Sequence, residues 1–224
     1  MKIFISNFSA LIRAASKKTA IFLTALCALA TAQAADLNIK YGSNYLMPAY
    51  VHFKENGTQY SILAKINVPL YNIQFITNGV QVNKQFRMTA YKDVRNDKTY
   101  SQAKVEGNNI EYGKLKDGLK TEIAKLPTFD LFSMAFQLTY YEKLPTSFQL
   151  TNGKKLYPME NVFVRKSEST VKYNKQEVTE ITYQFKTGDK DVTVKKFAGE
   201  QFPRYLKYTR DDDDYELTFD SFVK

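Results

Sequence analysis

Period-two alternation runs through most of this chain and narrows the folds open to it more than any other feature. Tyr60, Ile62, Ala64, Ile66 and Val68 alternate with Ser61, Leu63, Lys65 and Asn67, which gives a strand one apolar face until Pro69 ends its ladder. Val80, Val82, Phe86, Met88 and Ala90 repeat the pattern, as do Thr179, Ile181, Tyr183 and Phe185. Shorter candidate strands cover 37–41, 49–53, 71–77, 100–106, 110–115, 147–150, 155–157, 192–197 and 202–210. One further strand runs from Val162 and Val164 toward Tyr173, and the last begins at Tyr215. Turn signals separate them at Asn56-Gly57, Asn78-Gly79, Gly107-Asn108-Asn109, Lys116-Asp117-Gly118, Asn152-Gly153 and Gly188-Asp189. These fourteen candidate strands, with turns every 8–15 residues or so, describe an all-β antiparallel meander.

One helix interrupts the series. From Thr128 to Tyr141, Phe129, Phe132, Phe136 and Tyr140 recur close to the 3.6-residue period, so four rings fall along one stripe. Thr128 is placed to cap the first turn after Pro127, Asp130 adds negative charge where the helix dipole favours it, and Pro145 prevents continuation. Asp130 and Ser133 are expected to fix the helix start through backbone hydrogen bonds. The expected architecture is a meander curled into an open or partial barrel around this helix. With no composition shift and no Pro- or Ser-rich linker, residues 35–224 read as a single domain.

The first 34 residues read as an export signal. Lys2, Arg13, Lys17 and Lys18 precede an apolar run from Thr19 to Thr31, and Ala32-Gln33-Ala34 is a small-x-small cleavage pattern, with the cut expected after Ala34. The apolar run is short for a membrane span, which needs about 20 residues. Leu26 stands before Cys27 where a lipoprotein signal would carry a small residue. Of 32 Lys and Arg, four precede residue 35, so 28 face 23 acids in the remainder, a balance of +5. That mild excess gives no case for nucleic acid. Cleavage would also remove Cys27, the one cysteine, leaving a core of this size to stabilise an exported domain without disulfides.

The same composition excludes much chemistry. His52 is the only histidine, so a zinc site with two histidines cannot be built, and no Gly-x-Ser-x-Gly turn presents a serine to it. No glycine-rich phosphate loop is present, and no cofactor or metal is expected. Asp130, Glu142 and Glu160 are the acids nearest the helix, and solvated or capping roles account for them; a carboxylate-pair hydrolase ranks behind the binding readings. The run Asp211–Asp214 lacks calcium-loop spacing and reads as a solvated hairpin tip. Lys and Arg on both faces of several strands, together with the interrupting helix, argue against an outer-membrane barrel. Sixteen Tyr, sixteen Phe and no Trp supply the core, since both residue types form strands well.

Asp130-x-x-Ser133 followed by Leu138, and Phe202-Pro203-Arg204-Tyr205 leading into a final strand pair, resemble the hallmarks of an exported bacterial family catalogued as domain of unknown function 3108. The order of parts agrees as well. Asn44-Tyr45-Leu46-Met47-Pro48 stands where that family often has paired glycines. The resemblance implies an exported location and this architecture but no activity. A sheet curved over a helix is also similar to periplasmic lipoprotein carriers, at the level of fold alone.

The expected function is therefore that of a periplasmic or secreted, non-enzymatic binder of an apolar, lipid-like or amphipathic ligand, or of an envelope protein. Phe129, Phe132, Phe136 and Tyr140 are the expected lining, and Arg204 the expected partner of a buried carboxylate or an anionic head group. The alternative is a structural or adhesive module that pairs through an exposed sheet edge.

Overall fold

The first and last strands of the chain lie side by side inside one large sheet. The computed structural model describes residues 34–45, 47–210 and 213–224, all within the unit Ala32–Lys224. The export segment expected over 1–34 lies outside them up to residue 33, as do Leu46, Asp211 and Asp212.

The chain opens with β1 (Ala35–Ser43), β2 (Ala49–Glu55), β3 (Gln59–Val68), β4 (Tyr71–Val82), β5 (Gln85–Arg95) and β6 (Lys98–Glu106). β7 (Asn109–Lys114), β8 (Lys120–Ile123), β9 (Thr128–Phe129), the helix α1 (Leu131–Tyr141), β10 (Phe148–Thr151) and β11 (Leu156–Met159) follow. The last five strands are β12 (Arg165–Tyr173), β13 (Gln176–Thr187), β14 (Lys190–Phe197), β15 (Tyr205–Arg210) and β16 (Asp213–Phe222). β1–β8 form one antiparallel meander and β12–β16 another. Pairing of β1 with β16 joins them into a thirteen-stranded sheet whose edges are β12 and β8. β9, β10 and β11 form a separate three-stranded sheet.

The inner face of the sheet is apolar over its central strands, and one helix supplies the opposing surface. Ile39, Val51, Phe53, Ile62, Phe86, Tyr183, Val194 and Leu206 from strands across the sheet share a buried cluster with Met134, Phe136 and Leu138 of α1. The helix packs on both β14 and β5, the third and tenth strands in spatial order, so the sheet wraps it from two sides. This is the expected β-rich, helix-centred architecture, and the sheet is open. Among the described residues no helix is long and apolar enough to cross a membrane.

Three expectations about strand boundaries are corrected. Asn78-Gly79 is not a turn, for β4 runs straight through it. Glycine is required there by close approach: a Cβ at Gly79 would lie 2.3 Å from both Cε1 of Tyr60 and the carbonyl oxygen of Arg87. The turn falls instead at Asn83-Lys84 (φ 53° and 59°), and breaks the expected strand through Val80 and Ala90. Asn96-Asp97 and Asn174-Lys175 make similar two-residue turns; positive φ at both positions suits hairpin twist, and asparagine tolerates it. The expected polar link before Pro127 contains β8.

The helix start is also corrected. Thr128 does not cap α1. It belongs to β9, which pairs in parallel with β10, and its hydroxyl accepts from Gln149 Nε2 at 2.8 Å. Asp130 is the N-cap: its Oδ1 accepts from the backbone N–H of Phe132 (2.9 Å) and Ser133 (3.3 Å), while Ser133 Oγ accepts from the Asp130 N–H at 2.9 Å. This reciprocal pair satisfies donors that a helix end leaves open.

Candidate functional site

Two bulges prepare the site. Along β5 the ladder to β4 skips Thr89, pairing Asn78 with Ala90 and Gly79 with Met88. The extra residue shifts the alternation by one, so Tyr91 and Asp93 turn inward where Ala90 and Lys92 would otherwise have pointed. Along β6 the ladder to β5 skips Tyr100, since Asp93 pairs with Ser101 and Val94 with Thr99. Neither slip leaves a mark in the local hydrophobic pattern, and sequence reasoning missed the residues they deliver.

The inward-turned residues border a groove of about 300 Å³ at the N-terminal end of α1. Its apolar walls come from Phe75, Tyr91, Leu131, Phe132, Leu150 and Tyr208. Tyr157 and Tyr215 extend the aromatic lining, and Asp93, Arg95, Asp130, Lys154 and Arg210 supply charge. A volume of this size sits at the lower end of those that enclose small ligands, and an apolar lining with a few convergent polar groups is their usual composition.

Two carboxylates line the groove, and both are committed. Asp93 accepts from Nε and Nη2 of Arg95, each at 3.0 Å, and this pairing raises the guanidinium further above its ordinary value. Asp130 serves the helix through Oδ1 and accepts from the Thr77 hydroxyl at 2.9 Å through Oδ2. Burial pushes the Asp130 carboxyl up, and the hydrogen bonds from Ser133 and Thr77 act against that rise. Burial also raises the Tyr208 phenol to about 12, which keeps it a neutral hydroxyl at physiological pH. Among the described residues no group of three or more His, Cys, Asp or Glu is placed to hold a metal ion.

The residues expected to line a binding face are dispersed. Phe132 alone among them borders this groove. Phe129 lies in β9, fully buried and edge-on to Phe148 with centroids 5.6 Å apart. Phe136 is fully buried and stacked on Phe53 at 4.2 Å. Tyr140 packs near Phe86 and donates its hydroxyl to Glu55 at 2.8 Å.

Arg204 lies elsewhere. It donates to both carboxylate oxygens of Glu200, at 2.7 and 2.6 Å, with the rings of Phe197 and Phe219 at 4.1 and 4.4 Å. Its carboxylate partner is Glu200, which is half-buried rather than buried as expected. His52 is a strand residue whose Nε2 is 2.6 Å from Asp36 Oδ1. Fold and groove together define the class: a β-rich protein in which α1, the one α-helix among the described residues, closes a curled sheet and opens at its N-terminal end onto an aromatic groove. Comparison with protein-family models and with curated proteins finds no match for this chain.

Proposed function

We propose that this protein is a non-enzymatic binder that takes an apolar, lipid-like or amphipathic molecule into the groove at the N-terminal end of α1, and that it works outside the cytoplasm, in the periplasm or after secretion. The groove is the observation that carries the reading: ring and aliphatic walls from β4, β5, α1, β10 and β15 leave about 300 Å³ unfilled beside an otherwise close-packed core. Support for the location comes from the basic, apolar and Ala-x-Ala order of the first 34 residues and from the resemblance to the exported family. The groove acids favour binding over hydrolysis, since each carboxylate already serves structural partners.

Decanol titrated calorimetrically into the protein tests this reading. Saturable binding is expected, and Leu131→Trp, which fills the groove from its rim, should weaken it about tenfold or more. Unchanged affinity in a folded variant overturns the assignment. The sequence contains no Trp, so the introduced indole also reports occupancy by fluorescence.

One observation favours a second reading, that of a module which adds a partner's strand. β12 is nine residues long, borders only β13 among the described residues and is exposed along nearly its whole length. Thr170→Pro would abolish retention of a strand partner while leaving decanol binding intact.

A further inference from the structure

A second depression adjoins the groove, and the two share a wall. Asn152, Lys154, Tyr157 and Arg210 line both, and Lys114, Lys120 and Lys155 add charge on the second side. Five of its lining residues are cations and one is an acid, Asp117, which stands 3.7 Å from Lys114. An apolar space and a basic one thus lie on the two sides of a common wall.

The basic side is held by a rigid turn. The β10–β11 hairpin bends at Asn152-Gly153, where Asn152 Oδ1 accepts from the backbone N–H of Lys154 (3.1 Å) and Lys155 (3.2 Å). Thr151 Oγ1 accepts from Gly153 N–H at 3.0 Å, and Gly113 N–H donates to the Gly153 carbonyl at 2.8 Å. Ser101 Oγ donates to the Asn152 carbonyl at 3.2 Å. Gly153 has φ 78°, and a Cβ there would lie 2.7 Å from Ser101 Oγ, so the turn is pressed against β6 with no room for a side chain. Lys154 and Lys155 therefore leave the fold at fixed points.

Charge is concentrated further around Tyr100, the residue bulged out of β6. The Arg95 guanidinium sits 4.0 Å from its ring centroid, Lys114 Nζ 5.9 Å and Lys154 Nζ 5.8 Å. Three cations gathered on one ring repel one another in the folded state. Asp93 and Asp117 offset part of that repulsion. A bound anion would offset the rest, and lysines act as point-charge phosphate binders.

We infer that the ligand is a single-chain amphiphile with a phosphate-type head group, its tail in the aromatic groove beside Phe132 and its head in the basic depression among Lys114, Lys154, Lys155 and Arg210. This rests on the groove reading above and specifies the class of molecule that occupies it. The shared wall is the reason for one ligand rather than two, since a molecule crossing Tyr157 and Lys154 touches both spaces.

Calorimetric titration of the whole protein with decyl phosphate, decanol and inorganic phosphate in parallel tests the inference. Decyl phosphate is expected to bind about tenfold or more tightly than decanol at low salt, with that advantage shrinking as salt is raised. Inorganic phosphate alone is expected to bind far more weakly than either. K114A/K155A, at two residues that line the basic depression but not the groove, should abolish the advantage of decyl phosphate and leave decanol affinity unchanged. K172A/K175A, which removes the same charge from exposed positions around the β12–β13 turn, should retain it.

Equal affinity for decyl phosphate and decanol overturns the head-group assignment and leaves the groove reading standing. Phosphate binding as tightly as decyl phosphate overturns the joined ligand in favour of a free-anion site. Failure of decanol and decyl phosphate alike overturns the groove reading and this inference with it.

Discussion

The two ends of α1 carry the same kind of side chain and come to opposite ends. At the C-terminal half Phe136 lies flat on Phe53, and Phe86 and Tyr140 complete the packing. Gln137 fastens the helix there: its Oε1 accepts from Phe86 N–H at 2.7 Å, and its Nε2 donates to the carbonyls of Lys84 and Lys143. Lys196 Nζ donates to the Thr139 carbonyl at 2.8 Å and pairs with Glu142, placing a cation where the helix dipole favours one. At the N-terminal end Phe132 faces the groove instead. A ring stripe at helical spacing does not by itself distinguish core from site; what decides is whether the strand rings close on it, as Phe53 does on Phe136, or leave space, as Phe75 and Tyr91 do beside Phe132.

The largest test of that contrast is Phe136→Ala. It should cost about 3–5 kcal/mol in chemical denaturation, as loss of a fully enclosed ring does, with decanol affinity unchanged in the folded protein. Asp130→Ala comes next, at about 2 kcal/mol, because it removes the cap and strands the Thr77 hydroxyl and two backbone donors. Phe132→Ala should cost about 1 kcal/mol, since a half-buried ring forfeits only part of its burial energy, yet it should weaken decanol binding several-fold. If Phe132→Ala instead matched Phe136→Ala in stability and left binding intact, the two ends would be equivalent and the groove would be core.

The smallest expected effect compares how the ends titrate. Hydrogen bonds from Lys196 and Lys166 hold the Glu142 carboxyl at about 2 against an ordinary 4.5. A depressed folded value stabilises above the ordinary one, so this contribution is lost as pH falls from about 4.5 to about 2. Burial raises Asp130 above its ordinary 3.8, so the folded state holds that proton more tightly. Its contribution is complete below 3.8 and declines as pH rises through the elevated value. Urea midpoints measured against pH should therefore lose their acid-side decline in Glu142→Gln, by less than about 1 kcal/mol given its half-exposed side chain. They should lose an opposing decline at higher pH in Asp130→Asn. Parallel behaviour of the two variants would break the comparison.

Strand content, the helix α1 and the apolar rows of β3 and β13 were legible in the sequence. Period-two alternation reports directly which side of a strand is buried, as with Ile62 and Ala64 or Tyr183 and Phe185. The turns at Asn83-Lys84, Asn96-Asp97 and Asn174-Lys175 were less legible, because left-handed asparagine followed by a non-glycine residue carries a weaker signal than Asn-Gly. Asn78-Gly79 shows the converse: a strong turn signal was overridden by the Tyr60 ring packed against the glycine. Of the candidate site, Phe132 could be found by helical spacing and Asp130 by its place at the helix start. Tyr91, Asp93, Lys154 and Arg210 could not, since they come together from β5, the β10–β11 turn and β15.

By itself the sequence determined the β-rich class, the position of its helix and the side each regular strand would bury, because these follow from local period and local backbone preference. Only the tertiary structure decided that β1 and β16 adjoin, that Arg204 is taken by Glu200, and that an aromatic groove meets a basic depression across Tyr157 and Lys154. Those outcomes depend on bulges that shift a strand by one residue and on long-range packing, and neither leaves a periodic trace in the chain.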